Sequence, residues 1–295
     1  MRLAAPAKVN LGLAVLARRG DGYHEVETLM ARLDLADEVA VSVRQDRPGA
    51  VTLAVRPEPA PSDPVWHAAA LADVPTGVDN LAVQAARAYQ QAYQAQAGAA
   101  APGVHIDLMK RVPVAAGLGG GSSDAAAVLL AMEAQLRAGL ELDKIASALG
   151  SDVPFFVAGA RAAVARGRGE RLHPVEMPRL ALVLAKPEIT VSAADAYAAL
   201  VGFTPRLKHE AALAALTAGE EPRWRNGLQA GVVRAHPSLR AFLEEMRGTG
   251  LRGVLMSGSG PTCFGVADDL GAAQAAAHEL ARRHPELWVR AASTA

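Results

Sequence analysis

One cysteine stands among 295 residues, so the chain has neither an internal disulfide nor a cysteine-built zinc site open to it. Aromatic residues are scarce, at 4%. Net charge is absent, with 30 Lys plus Arg against 30 Asp plus Glu. That balance argues against a broad basic face of the kind that grips nucleic acid and leaves room only for a local patch. No apolar run reaches the roughly 18 to 20 residues that a membrane-spanning helix needs. The longest, Ala125 to Met132, suits a buried helix. Lys8 and Asn10 interrupt the apolar stretch near the N-terminus, which argues against a secretory leader. What is present is 51% apolar and 20% charged, a composition that fills one large domain or two ordinary ones. A reducing, cytoplasmic setting is expected, with no nucleic acid and no membrane as partner.

Val9, Leu11, Leu13 and Val15 alternate with Lys8, Asn10, Gly12 and Ala14, which predicts a strand with one buried face. The same alternation recurs at Val39–Val43, Val51–Val55 and Val104–Leu108. Gly20-Asp21-Gly22 marks a turn after the first strand. Asn80 to Gln96 reads as a helix capped by Asn80 or Asp79. Residues 56–78 lack periodicity and read as a loop with a short helix at Trp66 to Ala72. Ser122–Gly139 and Asp143–Gly150 read as helices. The second half predicts a strand at Leu180–Ala185 and four helices up to Met246. Strands at Gly253–Ser257 and Thr262–Ala267 come next, then a helix at Leu270–Arg283 and a last strand at Leu287–Arg290. That order is a βαββαβ arrangement with inserted helices.

The densest local signal is Pro113-Val114-Ala115-Ala116-Gly117-Leu118-Gly119-Gly120-Gly121-Ser122-Ser123-Asp124, a glycine run feeding a helix. Glycines admit positive φ and let backbone N–H groups converge. The helix start adds unpaired N–H groups and partial positive charge, so together they make a phosphate cradle. Ser122 and Ser123 have three uses there: capping the helix, holding a phosphate oxygen, or offering a hydroxyl to Mg²⁺. The run lacks the Lys of GxxxxGK[ST], and Ser122 stands where GxGxxG needs its last glycine, so neither of those motifs applies.

This run resembles the ATP-binding motif of the GHMP kinases. Three further segments agree in order: Pro6-Ala7-Lys8-Val9-Asn10-Leu11 with Asp21-Gly22-Tyr23-His24, Gly150-Ser151-Asp152-Val153-Pro154, and Ser257-Gly258-Ser259-Gly260-Pro261. They look most like the members of that family that phosphorylate an alcohol carrying a cytidine diphosphate, in the non-mevalonate isoprenoid pathway. The resemblance implies an α+β, two-domain GHMP kinase fold. Its N-terminal ribosomal-protein-S5-like β/α domain would span residues 1–165, and its C-terminal ferredoxin-like α/β sandwich domain residues 166–295. It implies ATP and Mg²⁺ as cofactors, with Pro113 to Ser123, Asn80 and Lys110 on the nucleotide and Ser123 on the metal. Lys8 and Asp152 are the implied catalytic pair, Asp152 facing the acceptor hydroxyl. Asn10, Tyr23, His24, Gly258 and Ser259 are the implied acceptor contacts, with His24 on the cytosine edge and Tyr23 as a stacking face. A monomer or weak homodimer is expected. The alternatives are another GHMP small-molecule kinase, of homoserine or mevalonate type, or a catalytically silent sensor of this fold. Cys263 is expected to be a buried strand residue without a nucleophilic role.

Overall fold

The opening alternation does form a strand, but a longer one than the pattern predicts. In the computed structural model, which describes residues 1–57 and 74–295, β1 is Arg2–Arg18 and β2 is His24–Arg44. These two long strands pair, and each runs through two compact units. Unit 1 comprises Met1–Ala7, Leu35–Val114 and Gly119–Ala160. Unit 2 comprises Lys8–Asp34, Ala115–Leu118 and Arg161–Ala295. The helix expected at Trp66 to Ala72 lies outside the described residues.

In unit 1, β4 (Gly103–Lys110) runs antiparallel to the second half of β2 and parallel to β3 (Val51–Pro57). Val104, Ile106 and Leu108 of β4 all point into the core, as their alternation requires. Four helices follow: α1 (Leu81–Ala97), α2 (Gly120–Leu136), α3 (Leu142–Leu149) and α4 (Val153–Val157). Asn80 caps α1 by accepting the Ala82 N–H at 2.9 Å. The residues from Ser123 to Leu129 and then Ala131 and Met132 of α2 are buried, so this helix is covered nearly all round. It packs against α1 and α4. Alanine at so many of its positions lets neighbours approach closely and costs no side-chain entropy.

In unit 2, the first half of β2 pairs with β5 (Ala162–Gly167), and β5 with β6 (Arg171–Pro174). The alanine-rich β5 is buried along most of its length, so it shows no alternation to read. A second sheet has the antiparallel order β10–β7–β9–β8, with β7 Ala181–Lys186, β8 Arg252–Met256, β9 Cys263–Ala267 and β10 Trp288–Ser293. Helices α5 (Ala193–Ala198), α6 (His209–Thr217), α7 (Gln229–Ala235) and α8 (Ser238–Gly248) connect β7 to β8. Helix α9 (Leu270–Arg283) connects β9 to β10. This is the expected βαββαβ order, ferredoxin-like in its strand sequence. Its core gathers Val183, Phe242, Leu243, Met246, Val254, Leu280 and Val289. Each such side chain, fully buried, contributes on the order of 1.5–3 kcal/mol.

Two local expectations need correction. The first strand does not bury one face only: every residue from Ala7 to Val15 is buried, Lys8 and Asn10 included. Helix α2 starts at Gly120, two residues before Ser122, and its N-cap is Gly119 with no side-chain cap, so neither serine serves as one.

Candidate active site

Strand β1 brings Lys8 and Asn10 into unit 2 at 4% exposure each. A buried ammonium needs oxygen partners, and the Lys8 Nζ donates to Asn10 Oδ1 and, at 3.1 Å, to Gly117 O. The Asn10 amide donates to Thr28 Oγ1 at 2.8 Å, and Thr28 in turn donates to Gly12 O at 2.7 Å. Ser257 Oγ accepts the Asn10 N–H at 3.1 Å and donates to Gly117 O at 3.0 Å. The loop Ala115–Leu118 is tied in by Lys8 N–H to Leu118 O at 2.8 Å and Thr262 N–H to Ala116 O at 3.3 Å. Asn226 closes the cluster, its amide donating at 2.7 Å to both Met256 O and Gly258 O. Three of the sequence motifs thus converge, and glycine is required at two points. Gly117 has φ 73°, and a Cβ on it would lie 3.0 Å from Gly260 O. Gly258 has φ 58°, and a Cβ there would lie 2.8 Å from Asn10 Oδ1 and 3.4 Å from Lys8 Nζ. Ser259 beside it is half-buried.

The rest of the glycine run belongs to unit 1. Gly119 holds φ 70° and starts α2, and Ser123 N–H closes the first turn on Gly119 O at 2.9 Å. With no side-chain cap, the helix presents its first amides and its positive end to an anion. Gly120 sits against the wall beneath: its Cβ would lie 3.1 Å from Val112 Cγ1 and 3.4 Å from Lys110 Nζ. Around Gly121 there is open space. Pro113 and Ala116 are buried, Val114 is half-buried, and Ala115 is exposed in the left-handed region at φ 50°. That conformation costs an alanine about 1 kcal/mol or more, strain of the sort found at ligand clamps.

The family resemblance puts Lys110 at the nucleotide. Its ammonium is instead enclosed in unit 1, bonded to Asp37 and, at 3.0 Å, to Asp124. Asp37 also accepts the backbone N–H groups of Arg111 and Val112, so one carboxylate fixes the chain that leads into the glycine run. Burial pushes the Asp124 carboxyl up, to about 8, against the pull of the Lys110 ammonium. Burial also works against the Lys110 charge, and the two carboxylates outweigh it.

Asn80 spends its side chain on α1 and on Pro75 O, at 2.7 Å. Asp152 stands half-buried at the head of α4 and makes no capping bond to it. Ser123 Oγ is buried with no hydrogen-bond partner among the described residues. Such an orphaned oxygen fits a ligand of Mg²⁺. No cluster of three or more His, Cys, Asp or Glu suited to a metal occurs among the described residues, so the residues present fit a cation held mainly by phosphate and water.

In unit 2, His24 stacks on Tyr197, with ring centroids 4.9 Å apart and planes 16° from parallel. The Tyr23 ring is 54% exposed, and the Arg168 guanidinium lies over it at 5.0 Å. Gly22, at φ 86°, and Asp21 Oδ1, which accepts the Tyr23 N–H at 3.1 Å, shape the turn that presents them. Thr28, Asn226 and Tyr197 give no signal in the sequence, and Ser257 gives one only as part of its glycine motif. Each is an ordinary residue whose role arises from a partner far along the chain. Cys263 is a buried β9 residue whose thiol burial pushes up, away from reactivity.

Residues 80–160 match the family described as GHMP kinases N terminal domain, and residues 208–286 match GHMP kinases C terminal. The chain is 47% identical to a 4-diphosphocytidyl-2-C-methyl-D-erythritol kinase of Deinococcus radiodurans, across 98% of this chain and 91% of that protein. It is 45% identical to the protein of that name in Thermus thermophilus, across 99% and 94%. A crystal structure of a 4-(cytidine 5'-diphospho)-2C-methyl-D-erythritol kinase matches at TM-score 0.81 and 42% identity, over all of both chains. Homoserine kinase from Cytophaga hutchinsonii shares the fold at TM-score 0.65 and 18% identity, over all of this chain and 94% of the other. The chain belongs to the GHMP kinase family.

Proposed function

We propose that this protein transfers the terminal phosphoryl group of ATP to the 2-hydroxyl of 4-diphosphocytidyl-2-C-methyl-D-erythritol. The observation that carries the reading is 47% identity across nearly the whole chain to a kinase of that name. Phosphoryl transfer has a loose transition state, so catalysis is mostly positioning and charge stabilisation. Gly119 to Ser123 bind the triphosphate through backbone N–H groups at the uncapped start of α2. Lys110 serves the nucleotide through the chain segment it braces, and Asn80 through the segment it caps, near adenine. Ser123 holds Mg²⁺, with Ser122 second. When bound, the cation neutralises phosphate charge. Lys8 contributes its ammonium to the transferring phosphoryl group. Asp152 orients the acceptor hydroxyl and takes its proton. Asn10, Gly258 and Ser259 line the place of the methylerythritol hydroxyls, and His24 reads the cytosine edge with Tyr23 beside it.

The same reading places the protein in the cytoplasm as a monomer or weak homodimer. It divides the chain into an ATP-binding domain to residue 165 and a second kinase domain from 166. Coupled ADP release tests the assignment, with diphosphocytidyl-methylerythritol, homoserine, mevalonate and galactose offered in turn. Turnover of the first alone is expected. Turnover of another acceptor in its place overturns the reading.

A further inference from the structure

We infer that unit 2 carries a second anion site, which takes a small molecule bearing a diphosphate group. It is a cavity of about 580 Å³ lined by Arg206, Lys208, Arg223 and Arg225, and also by Glu220 and Glu221. None of these residues falls in the motifs from which ATP and acceptor binding are read, so the inference goes beyond the kinase reading and does not rest on it.

The charge pattern points to an anion. The chain as a whole is neutral, yet four cations face one cavity. Among the described residues only Arg206 has a carboxylate partner, Glu27 Oε2 at 2.7 Å. Glu221 is engaged by the Gly253 N–H at 3.0 Å, and among the described residues Lys208, Arg223 and Arg225 form no ion pair. Four cations against the two lining carboxylates leave an excess of positive charge, which raises the local potential and draws anions.

Helix α6 also breaks a capping rule. Lys208 is the N-cap of α6, with no side-chain cap bond. That position favours Ser, Thr, Asp or Asn, and a cation at the positive end of a helix is repelled by it. An anion in the cavity reverses the sign of that interaction. Glu210 in the first turn complements the helix end but leaves the N-cap itself unfavourable, and locally unfavourable residues are expected at binding sites.

The backbone carrying these cations is held. Buried Glu27 accepts Arg206 Nη1 and the Leu207 N–H, at 2.7 and 3.0 Å. The Leu207 side chain fills the space over Gly12, where a Cβ would lie 3.3 Å from it. Arg225 O accepts the Leu13 N–H of β1 at 2.8 Å, and Trp224 Nε1 donates to Gly253 O at 2.9 Å. The guanidinium groups therefore hang from a fixed frame. Their planar forks match phosphate oxygens in pairs, and the volume suits a small ligand rather than a chain.

Isothermal titration of the full chain with inorganic pyrophosphate tests this, with and without a saturating non-hydrolysable ATP analogue. One pyrophosphate per chain is expected to bind with the analogue present. Arg223→Ala/Arg225→Ala should weaken it by at least about tenfold, as for lost hydrogen bonds between charged groups, and Lys208→Ala should weaken it less. The exposed positions should leave Tm unchanged, and the Lys substitutions at 223 and 225 should restore part of the affinity. Cytidine diphosphate and methyl diphosphate, titrated in parallel, distinguish a nucleotide from another diphosphate source. Overturning results are pyrophosphate binding that the ATP analogue abolishes, binding unchanged in the double variant, or no binding of any of the three probes. A rise in the acceptor KM of Arg223→Ala/Arg225→Ala in step with lost pyrophosphate binding also overturns a separate site.

Discussion

A Cβ on Gly258 would fall 2.8 Å from Asn10 Oδ1, so the absence of a side chain at 258 is what leaves Asn10 and its partner Lys8 in place. Gly258→Ala adds both that clash and the strain of φ 58°. It should lower kcat by roughly tenfold or more, since small misplacements of a positioning group are costly. Gly20→Ala, where a Cβ meets nothing within 4 Å, is the matched control and should change neither kcat nor Tm.

Lys8→Met and Asp152→Asn should each reduce kcat by roughly 10²-fold or more, the scale of a lost acid–base or charge-stabilising group. The KM for ATP should move much less. Steady-state kinetics on variants with native circular dichroism decide it, and near-normal kcat in either removes that residue from the proposed chemistry.

Lys110→Met would leave Asp37 and Asp124 buried without their cation. Breaking a buried pair from one side costs about 3–5 kcal/mol, and urea unfolding should register it. Asp124→Asn should cost less than Asp37→Asn. Burial already favours the neutral form of Asp124, whereas Asp37 holds two backbone N–H groups as well as Lys110.

Glu27 gives a pH dependence of known sign. Burial opposes its charge, but the Leu207 N–H and the Arg166 and Arg206 guanidinium groups outweigh it and hold its carboxyl below the ordinary 4.5. The unfolded chain thus binds the proton more readily, and the contribution is present above pH 4.5 and lost as the pH falls through the lowered folded value. Glu27→Gln should therefore have a lower Tm than the parent at pH 7, and the gap should close under acid. A gap that widens below pH 4 contradicts the anchoring of Arg206 and Leu207.

If His24 reads cytosine, a uridine acceptor should be disfavoured by roughly 10² or more in kcat/KM, from two mismatched hydrogen bonds. His24→Ala should lose most of that preference. Tyr197→Ala, which removes the ring stacked on His24, should weaken it in the same direction. Tyr23→Ala should weaken both nucleotides alike. Equal use of the two acceptors by the parent enzyme ends the cytosine reading.

Many of the elements are legible in the amino-acid sequence alone. Alternation locates the cores of β1, β3 and β4, and turn chemistry with 3.6-residue spacing locates α9 at Leu270–Arg283. The glycine run announces a phosphate cradle because its chemistry is local: positive φ, followed by a helix start. Alternation cannot report that Lys8 and Asn10 are buried. Their cover comes from residues 115–118 and from Ser257 and Gly258, and the Ser257–Gly117 bond joins positions 140 residues apart. Nor can it find β5, whose alanines are buried on both faces and so lose the period that marks a strand. Lys110 is expected at the nucleotide, and nothing in the sequence shows that Asp37, 73 residues away, is brought beside it. By itself the sequence determined many of the elements and the family, because dihedral preference and side-chain period act between neighbours. Only the tertiary structure decided which charges are buried and what they touch, because desolvation and hydrogen bonding depend on whatever distant segment folds against them.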